Sequence, residues 1–226
     1  ETSMSFNIAI DGPAGAGKST IAKKIAKELG FVYVDTGAMY RAMALYFLRS
    51  NISNEDEQAI SRASENVEIT IQYENGEQQV FLNGENVSGE IRKEEVGNMA
   101  SKTSGYGQVR KKLVELQQQL AKKADVVMDG RDIGTVVLPD AQVKVYLTAS
   151  VATRAKRRYD ELLEKGQECN LEKIAADIEQ RDYQDMHREN SPLRQAEDAV
   201  LVDSSDMTIE EVVAAIKKLY EDVCNA

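Results

Sequence analysis

Cysteine is scarce in this chain. Only Cys169 and Cys224 carry a thiol among 226 residues, far apart and without metal-ligand spacing, so both are expected to be structural thiols and no cysteine-built metal site is expected. Basic charge is also in deficit. With 28 Lys and Arg against 38 Asp and Glu, the net charge is −10, and no long basic stripe stands out, which argues against a polynucleotide partner. Small anions remain open as ligands, because a few arginines in one cleft bind phosphate whatever the net charge. No run approaches the roughly 18 apolar residues that a bilayer span requires, and no membrane partner is expected. A secretory signal is missing at the start, so a cytoplasmic location is expected. The single histidine, His187, has no partner constellation for catalysis, and an Asn-Lys-x-Asp guanine signature is lacking. Glu1-Thr2-Ser3, ahead of Met4, has the look of a cloning remnant.

What is present starts with Gly12-Pro13-Ala14-Gly15-Ala16-Gly17-Lys18-Ser19, which fits the phosphate-loop pattern GxxxxGK followed by Ser or Thr. An apolar strand candidate, Phe6 to Ile10, precedes it. After it, Ile21, Ala22, Ile25, Ala26 and Leu29 recur at helical spacing until Gly30. The residue types suit the chemistry. Glycines let backbone N–H groups curl around phosphates, and the following helix adds donors and partial positive charge. Lys18 can reach the terminal phosphates, and the Ser19 hydroxyl can take a Mg²⁺ position. The segment Gly12, Pro13, Ala14, Gly15, Ala16, Gly17, Lys18, Ser19 and Thr20 is therefore expected to bind a nucleoside triphosphate, with Ser19 as the candidate metal ligand.

At 42% hydrophobic the chain can bury a core, and its length fits one domain with inserts. Four further apolar runs read as buried parallel strands: 31–34, 126–128, 143–147 and 200–202. Alternating with helical patterns, they imply an α/β fold with a parallel sheet covered on both faces. Asp35, Asp129 and Asp203 punctuate three of these strands, and Asp35 and Asp129 are expected to face the same crevice as the phosphate loop. Between the second and third strands the rhythm changes. Val67, Ile69, Ile71 and Tyr73 alternate, and Asn75-Gly76 and Asn83-Gly84 are hairpin turn signals, so a two- or three-stranded antiparallel insert is expected at 64–88.

Phosphoryl transfer brings polyanions together, and the protein contributes positioning and charge neutralisation, a task suited to arginine's planar fork. Arg41 and Arg131 follow strand ends. Arg154, Arg157 and Arg158 fall on one helical face, as do Arg181, Asp185 and Arg188. The last helix, 209–223, reads as a packing element.

Together these segments resemble the bacterial cytidylate (CMP/dCMP) kinases, of the P-loop nucleoside monophosphate kinase family, over nearly the whole chain. The residues that carry the likeness are Ile10-Asp11-Gly12-Pro13 leading into Gly15-Ala16-Gly17-Lys18, the string Asp35 to Arg41, the string Asp129-Gly130-Arg131-Asp132-Ile133-Gly134-Thr135, and Arg181-Asp182 through Arg188. The resemblance implies a single P-loop kinase unit over 1–226 with a five-stranded parallel core. It also implies a monophosphate-binding region at 36–105 carrying the insert, and a lid at 152–168. It implies ATP and Mg²⁺, transfer of the γ-phosphoryl of ATP to CMP or dCMP, and a monomer without polynucleotide or membrane partners. By residue, it assigns Arg41, Arg131 and Arg188 to the CMP phosphate, Ser101, Arg110 and Asp132 to the cytosine, and Arg181 and Asp185 to the sugar. Thr36, Tyr40 and Asp129 are expected at the same substrate, and Lys18, Arg131, Arg154, Arg157 and Arg188 are expected to serve catalysis. Gln184 and Met186 stand where the family is richer in arginine. The alternatives are another small-molecule P-loop kinase with a UMP, AMP or alcohol acceptor, or a P-loop ATPase or GTPase switch.

Overall fold

The computed structural model describes residues 4–226; Glu1-Thr2-Ser3 lie outside the described residues. The chain divides into two compact units. One comprises the chain up to Tyr33 with Ala121–Ala226, and the other is Val34–Leu120; the division falls inside one strand and one helix.

The first unit is a five-stranded parallel sheet wrapped by helices. Its strands are β1 (Asn7–Asp11), β2 (Val32–Val34), β6 (Val126–Gly130), β7 (Val143–Thr148) and β8 (Val200–Asp203), in the spatial order β2-β6-β1-β7-β8. Central β1 pairs in parallel with β6, Ile8 opposite Val127, and with β7, Ile10 opposite Val145. Ile8, Ala9 and Ile10 are fully buried, as expected for a strand covered on both faces. Helix α1 (Lys18–Leu29) buries Ile21, Ala22, Ile25 and Ala26 against this sheet and stops at Gly30. That glycine's left-handed backbone turns the chain so that the Phe31 N–H donates back to the Ala26 carbonyl at 2.8 Å. Helix α8 (Ile209–Cys224) opens with a Thr208/Glu211 capping box and buries Val212, Val213 and Ile216. Its Tyr220 meets both Phe6 and Phe31 edge-to-face, and Phe31 precedes β2 because its N–H donates to the Ala26 carbonyl of α1. Helices α6 (Val151–Glu164) and α7 (Leu171–His187) pack together as a hairpin. Of the two thiols, Cys169 is half-buried near the Tyr159 carbonyl, whereas Cys224 is exposed.

The second unit carries α2 (Thr36–Arg49), α3 (Glu57–Ser64), α4 (Glu94–Thr103) and most of α5 (Gly107–Lys123), with an antiparallel sheet of β3 (Ile69–Glu74), β4 (Glu77–Leu82) and β5 (Glu85–Asn86). Both turns have two central residues at positive φ, Asn75 and Gly76 at 54° and 78°, Asn83 and Gly84 at 48° and 86°. Such type I′ geometry matches the twist of two-residue hairpins, which is why Asn-Gly marks them in the sequence. Helix α2 lies against β4, and Val80 and Leu82 of β4 and Ala42, Met43 and Phe47 of α2 are buried.

No helix among the described residues is long and apolar enough to cross a membrane.

Candidate active site

The phosphate loop leaves β1 at Asp11 and enters α1 at Lys18. Gly12 has no room for a side chain, since a Cβ there would fall 2.0 Å from the Leu147 carbonyl oxygen of β7. Gly15 and Gly17 hold φ of 78° and 84°, the left-handed conformations that curl the loop before the helix. The first N–H groups of α1 have no partner within the helix and lie at its positive end, which suits an anion. Lys18 is only 7% exposed, and its Nζ donates to the Pro13 carbonyl at 3.0 Å, so the ammonium stays folded within the loop. Burial, followed by the charge of Arg131, lowers its pKa to about 8, with Asp129, Asp11 and Asp185 opposing the shift. Ser19 and Thr20, the next two residues, are exposed.

Neighbouring strand ends supply carboxylates and arginines. Asp129 is the penultimate residue of β6, and the Tyr33 hydroxyl donates to its Oδ1 at 2.7 Å. The Gly12 N–H donates to the Gly130 carbonyl at 3.2 Å, joining the loop to the end of β6. Arg131 and Asp132 follow, then a π-helical turn, Ile133–Val137. Such turns are uncommon and concentrate at functional sites. Asp132 is 7% exposed. Arg131 donates from Nε to Asp185 Oδ2, and Arg181 from its own Nε to Asp185 Oδ1, each at 3.1 Å. Asp185 is thus a buried bridge between two guanidinium groups whose other nitrogens remain for a ligand. Arg188, at the end of α7, donates from Nε to the Ser191 carbonyl.

The three arginines expected on one face of α6 diverge. Arg154 is 4% exposed and grips Asp182 of α7 with both terminal nitrogens, at 2.6 and 2.9 Å, while also donating to the carbonyls of Ala14 and Ala149. Its stem lies against Gly15, where a Cβ would sit 3.6 Å away. Arg157 turns to Ser204 just beyond β8, donating to its carbonyl at 2.8 Å, and Arg158 faces solvent beside Glu161. They separate because each has a different nearest acceptor, information that helical periodicity does not contain. His187 stacks on Tyr183, ring centroids 4.0 Å apart.

In the second unit, Asp35 caps α2 by accepting from the Ala38 N–H, so its carboxylate serves the helix start that carries Thr36, Tyr40 and Arg41. Arg41 donates from Nη1 to the Ile91 carbonyl, and Gly97 of α4 leaves space for the guanidinium, with a hypothetical Cβ 3.3 Å from Nη2. Arg110 lies over the Tyr40 ring at 5.7 Å and donates to the Ser104 carbonyl. Ser101 is exposed on α4.

Sequence reasoning gave no role to Asp11, Tyr33 or Asp182. Asp11 sits one residue ahead of the glycine loop and Asp182 within a segment already quoted, so their positions were visible but their partners were not. Among the described residues no cluster of His, Cys, Asp and Glu could cage a metal ion.

Comparison with known proteins agrees with this geometry. A family model described as cytidylate kinase matches residues 8–222. The protein named cytidylate kinase in Lactobacillus johnsonii is 52% identical over 216 residues, covering 96% of this chain and 94% of its own length. Its namesake in Caldicellulosiruptor saccharolyticus is 52% identical over 218 residues, 96% of each. Among solved structures, an uncharacterized protein from Eubacterium ventriosum aligns with a TM-score of 0.54 at 13% identity, over 96% of this chain and 98% of that one, a likeness of fold alone.

Proposed function

The chain belongs to the cytidylate kinase family, and on that footing we propose that it transfers the γ-phosphoryl group of ATP to CMP or dCMP, giving ADP and CDP or dCDP. The observation that carries the reading is the buried Lys18 beside Asp11, Asp129, Arg131 and Asp185 at one end of the parallel sheet. In such a site the protein supplies position and charge, with no covalent intermediate. Gly12 to Thr20 would cradle the triphosphate, Lys18 following the moving phosphoryl group. Arg131 and Arg188 would hold the acceptor's phosphate, together with Arg41 of the second unit. Arg181 and Asp185 would meet the sugar, and Asp132, with Ser101 and Arg110, the base. Cytosine presents an N4 amino donor where uracil presents an O4 acceptor, so a carboxylate separates the two. Arg157, released from Ser204, would join the phosphates on closure of the α6–α7 hairpin.

Mg²⁺ fits this donor set in a limited way. Ser19 offers one hard oxygen at the helix start, which suits an ion held mostly by phosphates and water. Bound there, the ion would neutralise β- and γ-phosphate charge. The reading also places the enzyme with cytoplasmic nucleotide pools, acting as a monomer.

A coupled ADP-release assay against CMP, dCMP, UMP, AMP and GMP tests the proposal. CMP and dCMP should accelerate ADP release strongly over ATP alone. Equal ATP hydrolysis with and without an acceptor would instead indicate an ATPase.

A further inference from the structure

Asp11 is a buried carboxylate, 4% exposed, in the last position of central strand β1. Both of its oxygens are engaged by consecutive backbone N–H groups of the turn after β6. Ile133 donates to Oδ1 at 2.8 Å and Gly134 to Oδ2 at 2.7 Å. These amides directly follow Arg131 and Asp132. Glycine at 134 lets the contact form without crowding, since a Cβ there would sit 3.3 Å from Asp11 Oδ2 and 3.2 Å from the Lys144 stem. Within the turn, Val136 and Val137 donate back to the Asp132 carbonyl and Leu138 donates to the Ile133 carbonyl.

A single π-helical turn is closed only by its own i→i−5 bonds, which fix its shape but not its direction relative to the sheet, so an anchor outside it is needed if the side chains leading into it are to be aimed. We propose that Asp11 is a positioning residue for the monophosphate site, holding the Arg131–Asp132 segment in its productive direction through the paired amides of Ile133 and Gly134. The inference rests on the reading that Arg131 and Asp132 receive the acceptor nucleotide.

Electrostatics are consistent with such a role. Burial raises the Asp11 pKa to about 6, the Asp132 charge adding to the rise and the two amides and Lys18 opposing it. Tyr146, its register partner on β7, lies within reach of its charge, whereas the Lys144 ammonium, whose stem borders Gly134, is turned to the Pro139 carbonyl and Asp198. The ionised form, with two acceptor oxygens, serves both amides. Protonation converts one oxygen to a hydroxyl that meets an N–H donor, so the anchor weakens as pH falls through about 6.

Asp11→Asn reproduces that weakened state at neutral pH, since its amide keeps one acceptor and sets an NH₂ against the other donor. At pH 7.5 the variant should fold and raise the KM for CMP about tenfold while changing the KM for ATP by less than about threefold. A lost charge-assisted hydrogen bond is of that size. Amide exchange at Ile133 and Gly134 should quicken. The ratio of variant to native kcat/KM for CMP should approach one below pH 6, because the native carboxyl is then protonated too. Substrate phosphate also titrates near 6, but equally for both proteins, and cancels in the ratio. Arg131→Met separates the two layers of the argument. If it leaves the KM for CMP unchanged, the substrate reading falls and the inference with it. If it raises that KM while Asp11→Asn does not, or if Asp11→Asn raises both KM values equally, the positioning role alone is overturned.

Discussion

Arg154→Met removes a guanidinium and keeps most of its stem, and the structure allows the consequence to be sized. The side chain is 4% exposed, and its partner Asp182 retains only 15% side-chain exposure. The substitution leaves a nearly buried carboxylate without its cation and the carbonyls of Ala14 and Ala149 without their donor. Breaking one side of a buried pair costs about 3–5 kcal/mol. Because Asp182 can reach some water, the lower end is expected, about 3 kcal/mol. For a chain of this length each kcal/mol lowers Tm by about 2–4 °C, so a fall of about 6–12 °C follows.

Thermal and urea denaturation of the full chain would measure this, and a double-mutant cycle with Asp182→Leu would isolate the pair. The double variant removes both charges, so it should recover part of the loss, with a coupling of about 2 kcal/mol. Turnover provides the second axis. If Arg154 also acts on the transferred phosphoryl group, the double variant regains stability without regaining kcat; if it only holds the loop to α7, the two recover together. A Tm within 2 °C of native for Arg154→Met, or strictly additive effects in the cycle, would refute the reasoning.

Lys18→Ala should abolish transfer while preserving the fold, a loss of about 3–4 kcal/mol of transition-state stabilisation; near-native turnover with a native melting transition would remove Lys18 from the site. Because the Lys18 pKa is lowered to about 8, the ammonium of the free enzyme is lost as pH rises through that value. Consequently kcat/KM for ATP should fall above pH 8, whereas kcat should hold to higher pH because bound phosphates favour the charged form; a flat kcat/KM from pH 7 to 9.5 would count against it. The native enzyme should prefer CMP to UMP by at least tenfold in kcat/KM, since uracil would leave a buried carboxylate facing an acceptor, at about 1–3 kcal/mol. Asp132→Asn should shrink that preference mainly through lost CMP activity, and an unchanged ratio would show that Asp132 does not read the base.

Features written in local chemistry were legible before the structure. The phosphate loop, the two Asn-Gly turns and the apolar strands each follow from a few adjacent residues, and β1, β6, β7 and β8 lie where their apolar runs stand. Less was legible where the deciding partner is remote. Phe31 continues an apolar run in the sequence, yet it turns into a cluster with Phe6 and Tyr220. The run Ile133-Gly134-Thr135-Val136-Val137 has strand-like composition but folds as a π-helical turn, because its first two amides answer Asp11. No periodicity within that run indicates this.

The arginines make the same point at the candidate site. Helical spacing puts Arg154, Arg157 and Arg158 on one face, and a shared face suggests a shared task. What differentiates them is acceptors supplied from elsewhere in the first unit: Asp182 and Ala14 for Arg154, Ser204 for Arg157, and Glu161 in solvent for Arg158. The buried one bonds to the phosphate loop itself and is therefore placed to couple the loop to the α6–α7 hairpin. The half-exposed Arg158 has a surface pair worth little. Arg131 and Arg181 show a complementary use of a carboxylate. Asp185 takes only their Nε groups, which fixes both side chains while leaving their terminal nitrogens to donate elsewhere. Two aspartates of α7 thus decide which of these arginines is bound fully and which are only aimed: Asp182 holds Arg154 by both terminal nitrogens, and Asp185 orients Arg131 and Arg181.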